Sequence, residues 1–145
     1  MLPVFAGLSP SQLERPAALF KSVAFPAGAA IFAAGDRASS LYVVQSGEVV
    51  IRFHPYDGEA LDIATVTAGS AFGWSAAFRR SYYTSSAICR TDVIALAMEA
   101  RDLHQIMSDD PQLARTLLER ASQAATSRFD GLGRQVIQLL KPKNR

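Results

Sequence analysis

The residues best suited to hold a ligand lie in two short runs, Phe72-Gly73-Trp74-Ser75-Ala76 and Tyr83-Thr84-Ser85. Backbone amides at a glycine turn, together with the hydroxyls of Ser70, Thr84, Ser85 and Ser86, can cradle an anion. The rings of Phe72, Trp74, Phe78, Tyr82 and Tyr83 offer a different chemistry, an apolar pocket tipped with hydroxyls of the kind that takes small molecules. The same rings could equally fill that pocket. Arg79 and Arg80 lie between the two runs, where they could supply a positive charge to a phosphate or stand in solvent. Catalysis is not expected. His54 and His104 fall in different elements, Cys89 sits alone in an apolar strand, and Asp57, Glu59 and Asp62 flank Gly58 in a polar turn. No nucleophile, base and orienting group assemble from these residues, and no metal set does either. No cofactor is expected beyond a possible small ligand.

Composition narrows the class. A chain of 145 residues has the length of one domain, and 1–145 reads as a single unit. Although 49% of the residues are hydrophobic, the longest apolar runs, such as Val93-Ile94-Ala95-Leu96-Ala97-Met98, are far too short to span a bilayer. Neither a membrane association nor a secretion signal is expected, and a cytoplasmic location follows. A net charge of +2, with basic residues scattered except in the tail Lys141-Pro142-Lys143-Asn144-Arg145, gives little support for nucleic-acid binding.

The elements that must position the two runs are legible from periodicity. Ser9-Pro10-Ser11-Gln12 combines a capping residue with a proline at the first helical position, which predicts a short helix within an N-terminal segment, 1–19. From 20 to 100 the pattern is that of strands: Phe20 to Phe25, Ala30 to Phe32, Leu41 to Val44, Val49 to Phe53, Leu61 to Val66 and Ala87 to Met98. Glycines 35, 47, 58 and 69 punctuate them at the rhythm of a sandwich or barrel. From 101 to 145 the period lengthens to that of helices. Asp110-Pro111 reads as a cap, and Leu118, Ala121, Ala125, Phe129, Leu132, Val136 and Leu139 form one apolar stripe on a long helix, which must fold back on the barrel or pair with a second copy.

In order and spacing these features resemble the cyclic-nucleotide-binding domain family, of the catabolite-activator or Crp/Fnr type. Phe25-Pro26-Ala27-Gly28, Ile31-Phe32-Ala33-Ala34-Gly35-Asp36 and Leu41-Tyr42-Val43-Val44-Gln45-Ser46-Gly47-Glu48-Val49 are similar to its signatures, and Gly69 to Ala76 is similar to its phosphate cassette. The resemblance implies a mainly β domain with flanking helices. Its core would be a double-stranded β-helix, or jelly roll, between a short N-terminal and a long C-terminal helix, the latter forming a homodimer. In the family a Glu of the cassette receives the ribose hydroxyl and an Arg pairs with the cyclic phosphate. Trp74 and Tyr83 occupy those positions here. Tyr83 lacks the permanent charge and forked donors of Arg, and Trp74 has no acceptor to offer a hydroxyl. The reading is therefore a stand-alone, non-catalytic small-ligand sensor that binds cyclic AMP weakly or not at all. Two alternatives stand beside it: a structural or interaction protein with an empty pocket, and a truncated transcription regulator. Because the chain stops at Arg145 without a winged-helix pattern, specific DNA binding is not expected.

Overall fold

A computed structural model describes residues 18–55, 58–77, 80–117 and 119. Eight strands follow one another: β1 (Lys21–Phe25), β2 (Ala30–Phe32), β3 (Ser40–Ser46), β4 (Val49–Phe53), β5 (Leu61–Val66), β6 (Ala71–Phe72), β7 (Ser86–Cys89) and β8 (Val93–Glu99). A 3-10 turn over Trp74–Ala76 interrupts them, and helix α1 (Ala100–Asp109) closes the series. The strands form two antiparallel four-stranded sheets, ordered β1-β8-β3-β6 and β2-β7-β4-β5. This is the jelly roll that the family resemblance implies, and it fits the sandwich-or-barrel rhythm of the strands.

Alternation along β3 and β8 divides the core in two. Leu41 faces Met98 and Val43 faces Leu96, while Tyr42 faces Ala97 and Val44 faces Ala95. Successive side chains of a strand leave on opposite faces. One set, Leu41, Val43 and Met98, packs with Trp74, Leu103, Ile106, Leu113 and Leu117 on the helical side. The other, Val44 and Ala95, packs inside the roll with Ile51, Phe72, Tyr83 and Ala87.

Helical backbone resumes over 111–117 after Asp110, whose Oδ1 accepts the Leu113 N–H at 3.1 Å as a helix cap. That bond aims Leu113 and Leu117 at the helical cluster, where burial of each side chain contributes about 1.5–3 kcal/mol. The dimer stripe Leu118, Ala121, Ala125, Phe129, Leu132 and Val136 lies outside the described residues, as does the helix start at Ser9. Among the described residues no helix is long and apolar enough to cross a membrane.

The structure corrects the strand reading at two places. The run Ala87 to Met98 is not one strand: it breaks at Arg90-Thr91-Asp92 into β7 and β8. Glu48 O accepts the Arg90 N–H, Thr91 Oγ1 accepts the Glu48 N–H, and Asp92 Oδ1 accepts the Ala27 N–H. The break is fixed by partners distant in sequence. Strand β6 went unpredicted because two residues are too few to show alternation. Of the punctuating glycines, 35, 47 and 69 adopt positive φ and Gly58 does not.

Candidate functional site

The first run is built on a reversal at Gly73. Its φ of 80° and ψ of 32° are left-handed, and a Cβ there would stand 3.0 Å from Ser40 O, so glycine is required both for the angle and for the close approach to β3. The chain then enters the 3-10 turn, with Ala76 N–H donating to Gly73 O and Ala77 N–H to Trp74 O. His104 on α1 reaches the same turn, its Nε2 lying 2.6 Å from Ala76 O. Helix and turn are thereby bonded directly.

Trp74 borders the roll's cavity, but its packing lies on the helical side, among Leu41, Val43, Ala77, Met98 and Leu103. The indole is 5% exposed and its Nε1–H is buried without an acceptor. Tyr83, at the end of the second run, turns the other way, into the roll. Its ring stacks on Phe32 with centroids 3.6 Å apart and planes 11° from parallel. Its hydroxyl accepts the Ser40 N–H at 3.0 Å and donates to Ser40 O. Tyr42 stacks on Phe72 at 5.2 Å, and Phe32 touches both. The roll interior is an aromatic core. Ser85 is buried, Ser75 half-buried and Thr84 exposed at its rim.

Together Phe32, Ile51, Gly73, Trp74, Ser75, Tyr83, Thr84 and Ser85 line a half-open cavity of about 10 Å³, room for one water molecule. Phe72 closes the interior beside it, and Ala76 lies buried behind the turn. Sequence reasoning did not single out Phe32, Ile51 or Ser40 as parts of this site. Their only signal was alternation within β2, β3 and β4, which marks a core residue and a pocket residue alike. Arg80 is exposed and does not line the cavity, and Arg79 lies outside the described residues. Burial, aided by Asp92, pushes the Cys89 thiol up, which disfavours the reactive thiolate. Among the described residues no three His, Cys, Asp or Glu side chains converge on a point that could hold a metal.

Burial pushes the Tyr83 phenol up to about 12 despite its bonds to Ser40, and raises Tyr42 in the same sense. A phenol that ionises near 10 when unfolded and near 12 when folded favours the folded state as long as it stays protonated. This contribution is complete below pH 10 and is lost as pH rises to about 12. Urea midpoints measured across that window are expected to fall for the parent and to fall less for Tyr83→Phe. Equal slopes would mean that Tyr83 is not the group responsible.

The family model described as "Cyclic nucleotide-binding domain" matches residues 22–110, more than half of the chain and all of the roll but the first residue of β1. The chain belongs to that family. Of the curated relatives, the CRP-like cAMP-activated global transcriptional regulator of Mycobacterium tuberculosis is 30% identical over 115 residues, which cover 79% of this chain and 51% of that protein. The chain thus spans about half the length of the curated relatives it matches. Among solved structures, a cyclic nucleotide-binding protein from Geobacter metallireducens superposes with a TM-score of 0.76 at 25% identity, over 88% of this chain and 92% of that one. The catabolite activator protein of Thermus thermophilus also reaches 0.76, at 26% identity over 94% and 63%. These relatives are regulators and binding proteins, and the cyclic nucleotide-binding domain described here shares their roll.

Proposed function

We propose that this domain is a non-catalytic regulatory module, a small-ligand sensor whose altered cassette binds cyclic AMP weakly or not at all. One observation carries the reading: Tyr83, at the position of the family's phosphate-binding Arg, is stacked on Phe32 and bonded twice to Ser40 beside a cavity with room for one water. A nucleotide-sized ligand needs a pocket of roughly 300 Å³ or more. Admitting one would require Tyr83 to leave both its stack and its hydrogen bonds. Loss of each charge-assisted contact, at Trp74 and at Tyr83, weakens binding by about 1.5–3 kcal/mol, roughly ten- to a hundred-fold.

Isothermal calorimetry with cyclic AMP tests this directly. No saturable heat is expected at concentrations below about 0.1 mM, and a low-micromolar dissociation constant would overturn the reading. The stack of Tyr83 on Phe32 also favours a second reading, an interaction protein that needs no ligand. A thermal-shift panel of cyclic nucleotides and metabolites separates the two, since a ligand that binds only the folded state raises the melting temperature.

The proposal includes a homodimer through the C-terminal helix, supported by the apolar stripe from Leu118 to Leu139 in the sequence. Phe129→Glu would place an unpaired charge in that interface and is expected to leave a monomer. Light scattering showing a monomer for the parent at high micromolar concentration would remove this part. Specific DNA contact is not part of the proposal, given the nearly balanced charge.

A further inference from the structure

Among the described residues Arg80 is engaged through its backbone. The Arg80 N–H donates to Ser75 O at 3.0 Å, and its side chain is exposed. Two residues later Tyr82 forms an isolated antiparallel bridge with Arg37. On either side of that bridge Ala38 N–H donates to Ser81 O and Tyr83 N–H to Asp36 O, both at 2.9 Å. Arg37 and Tyr82 are therefore a non-hydrogen-bonded pair, the arrangement that brings facing side chains closest, with Cβ atoms about 4.5–5.5 Å apart.

Their side is the outside. Ala38 and Tyr83, one residue further along each strand, are buried, whereas Arg37 is exposed and Tyr82 is 61% exposed, the most exposed large hydrophobic side chain among the described residues. Among the described residues neither Arg37 nor Arg80 forms an ion pair. The neighbouring Asp36 carboxylate accepts the Ala33 N–H at 2.8 Å.

We propose that this face is a docking surface for an acidic segment of a partner protein, with Tyr82 as its anchor and Arg37 and Arg80 as its carboxylate clamps. Tyr and Arg are the residue types that carry binding energy at protein interfaces, because a rigid ring buries much area at small entropic cost and a guanidinium grips a carboxylate through two parallel bonds. Charge complementarity selects the occupant. The chain's own tail, Lys141-Pro142-Lys143-Asn144-Arg145, is basic and would be repelled. The surface lies outside the cavity, so it stands or falls separately from the ligand-sensor reading.

Amide chemical shifts of the full-length chain, titrated with the octapeptide Glu-Glu-Leu-Glu-Glu-Leu-Glu-Glu, test the proposal. Shifts are expected to cluster at Arg37, Ala38 and Arg80 to Tyr83. They should be absent with the same peptide carrying Gln for Glu. Combined Arg37→Ala and Arg80→Ala should weaken the peptide at least tenfold, and Tyr82→Ala several-fold, with unchanged spectra elsewhere reporting an intact fold. Shifts confined to another face, or equal for the Gln peptide, would overturn the proposal. So would tighter binding of a twelve-base-pair DNA duplex to the same amides, or broadening of those amides with protein concentration alone, which would point to a second copy of the chain.

Discussion

Gly47→Ala is expected to destabilise the domain by about 3–5 kcal/mol, through backbone strain together with steric overlap. Gly47 joins β3 to β4 at φ +94°, where an L side chain is strained by about 1–2 kcal/mol. Its Cβ would also stand 2.2 Å from Asp92 O and 2.9 Å from Thr91 Oγ1. A backbone oxygen cannot rotate away. The turn between β7 and β8 would have to withdraw, and with it the bonds from Glu48 N–H to Thr91 Oγ1 and from Ala27 N–H to Asp92 Oδ1. Gly28→Ala is the control, since Gly28 has a similar φ of +85° and open space around it, so only the conformational penalty of about 1–2 kcal/mol applies. Urea unfolding gives the comparison, read as a shift in midpoint at constant slope. Equal costs for the two variants would show that the approach of the two turns contributes nothing.

The second large effect concerns binding. Trp74→Glu combined with Tyr83→Arg is expected to strengthen cyclic AMP binding by at least a hundred-fold, as two charge-assisted contacts of about 1.5–3 kcal/mol each return. The same pair of substitutions should cost stability in the absence of nucleotide. Glu at 74 replaces an indole that is 5% exposed against Leu41 and Leu103, and Arg at 83 loses the stack on Phe32 and the hydroxyl bonds to Ser40. An isolated buried charge is expensive, and the nucleotide would supply its partner. Cyclic AMP should therefore raise the melting temperature of the double variant far more than that of the parent. If calorimetry detects no binding by the double variant, the backbone reversal at Gly73 is unable to receive a phosphate, and side-chain identity is not the obstacle.

Much of the scaffold was legible because it is written locally. β4 and β5 run from Val49 to Phe53 and from Leu61 to Val66 as their β-branched residues predict, and the cap at Asp110 follows from its position before Pro111. Alternation, left-handed glycines and capping side chains all act within a few residues, so a single chain read in order suffices to find them. The order of these signals also marked the family whose model matches the roll.

What the local signals left open is which way a side chain turns when both directions are apolar. Trp74 and Tyr83 stood in the sequence as two rings of one pocket, yet the first packs toward α1 and the second into the roll. That choice is made by Ser40, which is 43 positions from Tyr83, by Phe32 across the roll and by the helical side chains that receive the indole. The break at Arg90-Thr91-Asp92 is decided in the same way, by Glu48 and Ala27. Composition and spacing thus determined most of the elements and their order. Only the tertiary structure decided that Tyr83 stacks on Phe32 and that Arg80 is exposed, because those outcomes depend on volume and hydrogen-bond partners contributed by distant strands, and no periodicity along the chain encodes them.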